Sequence, residues 1–367
     1  VYPSAALAEA TDPLNLSKDL LEASNPPDLC EIFAAARQRV ATLIEALPSD
    51  DTAEDSLSEE WYWAAPILMD ALVRPDEVRD WFEQEALASK WSGVDPATDS
   101  DRESKWPDHV NRARKLLQDF AKGSIHLGKK PANLIDVLTW LGLAGPAACS
   151  WRSLMRISAQ SSSLVMRNLA GKMGHAFLTL FNLPESLSLV RADKEDGDRK
   201  EPYWTQVLKY SADGCLQAVL DEYVHILRES LGRVDAIDET AIADIAAAVS
   251  DALRIRTSRV GYDHVIVKPR HHIRVHRQSM RVRFAMRFGQ LDAEDGGEPT
   301  REDHVRAAFN SPFWPFVLAT TSIGQEGLDF HQYCHAVVHW NLPTNPVDLE
   351  QREGRVHRYK GHAVRKN

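Results

Sequence analysis

Long apolar runs are missing from this chain. No stretch of about 18 residues is free of polar side chains, which argues against a membrane-spanning helix. No basic-then-apolar segment opens the sequence, so no secretion signal is read there. Cysteine is scarce, and Cys30, Cys149, Cys215 and Cys334 are too far apart for CxxC metal or redox spacing. They read as reduced thiols of a cytoplasmic protein. No repeat and no low-complexity tract is found. Also missing is GxxxxGK[ST], whose amides, lysine and hydroxyl would cradle a nucleotide's phosphates and magnesium. Gly171-Lys172 is followed by Met173 and lacks the earlier glycine, and Gly128-Lys129 is followed by Lys130.

What is present suits a water-soluble protein. The 367 residues are 44% apolar and 26% charged, enough for two or three domains with their own cores. The chain begins at Val1 rather than Met and stops just after a motif, as an excised piece of a longer protein would. The net charge of -10 argues against a general nucleic-acid binder, but the distribution is uneven. Between Arg254 and Arg287, basic residues that include Arg274 and Arg277 cluster with Asp263 as the lone acid. Such a block in an acidic chain suits a local phosphate-binding surface; the alternative is a solvated hairpin paired with acids elsewhere.

Residues 1–206 read as mainly helical. Helical spacing is seen over Leu29–Leu47, His109–Lys122, Ala132–Leu143 and Ser150–Arg167. The tryptophans between Glu59 and Trp91 read as core. Amphipathic helices follow over Asp213–Leu231 and Ile237–Leu253. The texture then changes to short β-prone runs at Val265–Val267, Val282–Met286, Phe316–Ala319 and Ala336–His339, which predicts a parallel sheet with crossover helices. Asp221-Glu222-Tyr223-Val224-His225 spells DExxH, an acidic box that elsewhere ends a buried strand and holds magnesium. Here it falls inside a helical pattern and reads as a coincidence. Zinc would require HExxH, so no metal site is expected.

The last sixty residues carry the chemistry. Phe316–Ala319 reads as a buried strand, with Thr320, Thr321 and Ser322 at its carboxyl end, where open α/β sheets place ligands. Gly324 and Gly327 permit close backbone approach. Ala336–Trp340 reads as a second strand. Asn345 is placed as an N-cap, with Pro346 at the first helical position. In the helix so started, Gln351, Arg355 and Arg358 fall on one face. An arginine fork suits a γ-phosphate.

These residues resemble superfamily 2 helicases and translocases. Ala319–Asp329, ATTSIGQEGLD, is similar to motif V, and Gln351–Arg358, QREGRVHR, is similar to motif VI. The pairing with NLPTNPVDLE is closest to the chromatin-remodeller-like branch (Swi/Snf and RapA-type). More narrowly, it resembles large bacterial helicase-related proteins, some linked to phage defence. The resemblance covers about residues 281–366. It implies an α/β fold for 207–367, a RecA-like C-terminal lobe with a parallel sheet and flanking helices, behind a mainly α-helical linker or insertion region at 1–206. It implies that Arg355 and Arg358 act as arginine fingers on ATP and that Gln351 senses the γ-phosphate. Gly327, Asp329 and Gly354 would line and couple the nucleotide cleft, and Thr320 and Thr321 would contact the nucleic-acid backbone. ATP and Mg2+ would be bound mainly by a first lobe. Motifs I, II and III are not found, and Leu253–Ser258 is the best counterpart of motif IV.

The reading that follows is the C-terminal part of an ATP-dependent translocase on double-stranded DNA, completed by an N-terminal RecA-like lobe of the same protein. The rival is a non-catalytic nucleic-acid- or protein-binding module derived from a helicase lobe. The helical half could in either case dock a protein partner.

Overall fold

The computed structural model describes residues 2–21, 26–48, 58–92, 106–158, 163–192, 201–232, 238–254, 258–268, 272–282, 300–313, 317–318, 330–359 and 361–366. The chain divides into two compact units, Val1–Ser250 and Asp251–Asn367. By count of charged residues, 1–250 hold 25 Lys and Arg against 40 Asp and Glu, a net -15. Residues 251–367 hold 18 against 13, a net +5. The acidic character of the chain therefore belongs to the first unit alone.

The first unit is helical. Its elements are α1 (Ala5–Ala10), α2 (Pro13–Leu20), α3 (Leu29–Glu45), α4 (Trp61–Val73), α5 (Pro75–Phe82), α6 (Leu87–Ser92), α7 (Trp106–Ala121), α8 (Leu134–Ala144), α9 (Pro146–Ile157), α10 (Ser163–Phe181), α11 (Pro184–Ala192), α12 (Tyr203–Asp213) and α13 (Leu216–Ser230). A further helix, α14 (Glu239–Leu253), runs across the division between the units. A capping box starts α3, in which Asp28 accepts from the Glu31 amide and Glu31 accepts from the Asp28 amide, both at 2.9 Å. The interior helix is α4, apolar on nearly every side, with Trp61, Ile67, Leu68 and Met69 all buried. Trp81 and Trp91 are buried beside it, so these tryptophans are core as the sequence suggests.

Two buried charges tie the helices together. Asp70 on α4 accepts from the amides of Ala5 and Ala6 at the start of α1 (3.1 and 2.8 Å), from Ser4 and Tyr2 hydroxyls (both 2.9 Å), and from the fully buried Arg167 of α10. Its carboxylate satisfies amides that a helix start leaves without intrahelical partners. Burial, and then the adjacent Asp70 charge, hold the Tyr2 phenol well above its ordinary pKa, so it donates as a neutral hydroxyl. Arg152 on α9 donates to the carbonyls of Gly142 (2.8 Å) and Leu143 (2.9 Å) at the end of α8, to Ala8 of α1 (3.0 Å), and to Gln217 of α13 (2.6 Å). One guanidinium thereby caps one helix and joins three others.

One sequence expectation changes here. The helix read over Ser150–Arg167 is two helices, because Ser158 leaves α9 in extended backbone at φ -90°, ψ 125°. The sequence from Ser158 to Ser163 is rich in serine, a residue type that disfavours helix interiors. The 206/207 boundary falls within α12, which packs on α8, while α13 packs on α9. Both helices thus belong to the helical unit. Asp221 lies on α13, where it accepts from Ser153 (2.7 Å) and Gln217 (2.9 Å) and pairs with Arg156; Tyr223 and Val224 are buried. The DExxH string is a structural stretch of helix.

The second unit contains a β-ribbon, β1 (Ser258–Lys268) paired antiparallel with β2 (His272–Val282). It is the sole sheet among the described residues, so the described part of the chain contains no parallel sheet. Val265–Val267 lies in β1 as expected. Val282 ends β2, and 283–286 lie outside the described residues. The expected buried strands are not buried where they are described: Val317 is 83% exposed, Val338 is 89% exposed, and Ala336–His339 is not strand. A strand needs partners to satisfy its amides and cover its apolar face, and none of the described segments pairs with these. A small core does form, from Val305 and Phe309 of α15 (Thr300–Phe309) with Phe330. The unit ends with α16 (Pro346–Glu353) and α17 (His362–Lys366).

Candidate nucleotide and nucleic-acid interface

Helix α16 starts as the sequence dictates. The Asn345 side chain accepts from the Val347 amide at 3.1 Å, and Pro346 occupies the first turn. It stops at Glu353, with Gly354 as its C-cap. Gln351 therefore lies on the last turn, while Arg355 and Arg358 follow in a tighter turn, with Val356 and His357 amides both donating to Glu353 at 3.0 Å. The single helical face expected for these three residues is not formed. Gln351 and Arg358 are exposed, and Arg355 is half-buried.

Arg358 Nε donates to the Gly354 carbonyl at 3.2 Å, which places a cation at the negative end of α16. Gly354 has φ -61°, an ordinary helical value, so its backbone angle does not require glycine. The tightness is local: an added Cβ would lie 3.1 Å from the Glu350 carbonyl.

The turn is pinned to the segment that follows Asp329. The Phe330 amide donates to the Arg355 carbonyl at 3.2 Å, and the His362 amide donates to the His331 carbonyl at 2.9 Å. Arg365 donates to the Gln332 carbonyl at 2.5 Å. Phe330 is buried and meets Phe309 edge to face, ring centroids 5.6 Å apart. Arg352 donates to the Asn341 carbonyl at 3.1 Å, joining α16 to the end of the 336–341 segment. Sequence reasoning missed Phe330 and Arg352. The signals were a large apolar residue directly after Asp329 and an arginine inside QREGRVHR. Thr320, Thr321, Gly327 and Asp329 lie outside the described residues.

Arg274 and Arg277 sit on the ribbon but not together. Side chains alternate across a strand, so residues three apart project from opposite faces. Arg277 lies across from Asp263, on the face shared by Val265, Ile273 and Val275. Arg274 lies across from Ile266, on the face shared by His264, His276 and Gln278. All of these residues are exposed. One face thus carries Arg277 opposed by a carboxylate, and the other carries Arg274 beside a pair of imidazoles. Among the described residues, no cluster of His, Cys, Asp and Glu is arranged to hold a metal ion.

The match to a family model falls on this unit. No solved structure matches the chain. A Bacillus subtilis (strain 168) protein described as "Uncharacterized ATP-dependent helicase YqhH" is 48% identical over 42 residues, 11% of this chain and 7% of the relative's length. The chain thus matches a small fraction of that relative. Residues 270–360, about a quarter of the chain, match the family model of the helicase conserved C-terminal domain, so this segment carries a helicase C-terminal domain.

Proposed function

We infer that this chain is the C-terminal part of an ATP-dependent DNA translocase of the chromatin-remodeller-like branch of superfamily 2. Its ATP site is completed by a first RecA-like lobe of the same protein. The observation that carries the reading is the bond from Phe330 to Arg355, inside a segment that matches the helicase C-terminal domain. It links the end of the motif V-like stretch to the turn that bears both candidate arginine fingers.

In this reading, the first lobe binds ATP and Mg2+ and holds the phosphate cradle that this sequence lacks. Arg355 and Arg358 offset the charge that develops on the transferring phosphoryl group, a role worth roughly 10³–10⁵ in rate. Arg358 is exposed, and its Nε donates to the Gly354 carbonyl at 3.2 Å at the end of α16. Gln351, exposed on the last turn of α16, contacts the γ-phosphate, and Gly327, Asp329 and Gly354 border the same cleft. Thr320 and Thr321 contact the DNA backbone. The basic ribbon adds Arg274 and Arg277, and the net positive charge of residues 251–367 supports a duplex as partner. Closure and opening of the cleft between lobes moves the protein along DNA in the cytoplasm. The isolated chain has no ATP turnover; clear turnover by the pure chain contradicts this.

A second reading is a non-catalytic binding module derived from a helicase lobe. The exposure of Val338 and Trp340, 89% and 94%, favours it, since such side chains mark a surface that another element covers. The two readings part on ATPase measurement of the full-length protein.

A further inference from the structure

The acidic helical unit contains a cleft of about 380 Å³, within the size range of small-molecule sites. Its walls are aromatic, with Tyr62, Trp63, Phe181 and Trp204 bordering it, and among the described residues Glu59 is the one carboxylate in its lining. Among the described residues no lysine or arginine lines it, and the Arg112 guanidinium, outside that lining, lies 5.7 Å from the Trp63 ring centroid. His109 lines the cleft, with its ring 5.1 Å from Trp63. Burial pushes that imidazole below its ordinary pKa, so it adds no charge near pH 7.

Trp204 differs from the tryptophans of the core. The indole N–H groups of Trp61, Trp81 and Trp106 donate to the Gly128 carbonyl (2.9 Å), Asn168 Oδ1 (2.8 Å) and the Ala88 carbonyl (3.1 Å), which fixes those rings. Trp204 is 42% exposed and stands tilted against Tyr62 with ring centroids 5.5 Å apart. Among the described residues, no acceptor meets its indole N–H. A large indole left half in water at the mouth of a cleft buries further area only when something sits against it.

We propose that this cleft binds a small organic cation whose charge is dressed in apolar carbon, of the methylated-ammonium class, seated against Tyr62 and Trp204 with Glu59 in the lining beside them. Aromatic faces attract a cation through their quadrupoles, and the attraction is largest where the cation sheds water cheaply. Methylated nitrogen meets that condition better than a strongly hydrated primary ammonium. The carboxylate and the net -15 of residues 1–250 supply charge complementarity. This proposal is independent of the translocase reading, since the cleft lies wholly in the helical unit.

The test is calorimetric titration of the 367-residue chain with choline, with the neutral isostere 3,3-dimethylbutan-1-ol, and with ethanolamine. Choline is expected to bind at least about tenfold more tightly than either. Trp204→Ala and Glu59→Gln, both at exposed positions, should each weaken choline about tenfold with the helical circular dichroism and melting unchanged. Equal binding of choline and its neutral isostere, no binding of choline, or binding unaltered in both variants would each overturn the proposal.

Discussion

The amide of Phe330 donates to the carbonyl of Arg355 at 3.2 Å, across twenty-five positions of sequence. That bond and the burial of Phe330 against Phe309 make the arginine-bearing turn depend on a small apolar core. Phe330→Ala removes a buried ring, which costs about 3–5 kcal/mol at typical core sites. Amide exchange over Arg355–Gly361 should accelerate strongly in the variant while exchange in α4 and α8 stays as it was. Unchanged exchange in the turn would show that Phe330 does not hold it.

The ribbon makes an unequal prediction for its two arginines. Arg274→Glu should weaken duplex DNA binding and lower the slope of log affinity against log salt by about one phosphate contact. Arg277→Glu places a second carboxylate across from Asp263, so it should also disturb the strand pairing itself. Affinity measured from low to moderate salt checks both. If neither variant changes affinity or slope, the ribbon is only a solvated surface.

Asp70 and Arg167 are both fully buried, and each is the other's ion-pair partner. Removing one leaves a charge in the interior, at about 3–5 kcal/mol. Asp70→Asn and Arg167→Met should each lower the unfolding free energy of the helical unit, measured by denaturant titration, by that order. The double variant should be less harmed than the two losses added together. Strict additivity would contradict a coupled pair.

His109 predicts a pH dependence. Its imidazole is held below the ordinary value of about 6.5 by burial, so the unfolded chain binds the proton more readily than the folded one. Its contribution to stability is present above the unfolded pKa and is lost as pH falls from there through the folded pKa. Melting temperature should therefore fall between about pH 7 and pH 5, and His109→Phe should flatten that part of the curve. A curve unchanged by the substitution removes His109 as the cause.

Much of the helical unit is legible in sequence because its apolar residues recur at 3.6-residue spacing, as over Leu29–Glu45 and Leu216–Ser230. The Asn345 cap and the helical setting of Asp221–His225 could be read for the same reason, since both are local. The break at Ser158 was marked only by a serine cluster, weaker than the periodicity on either side. Gly354 was a stop signal for α16 overlooked in favour of regular spacing through Arg355 and Arg358. The faces of Arg274 and Arg277 follow from alternation once the strand is known, but the exposure of Val317 and Val338 does not. Short apolar runs reveal an appetite for burial, while the partner that buries them lies far away in sequence or in another chain.

The translocase reading stands or falls on DNA-stimulated ATPase activity of the full-length protein, wild type beside Arg358→Ala. Wild type should hydrolyse ATP faster with duplex DNA. The variant should lose on the order of 10³-fold in kcat or more, with folding and DNA affinity intact. A wild type without ATPase activity, or a variant that keeps it, contradicts a working cleft at Arg358 and leaves the binding module as the function of this unit.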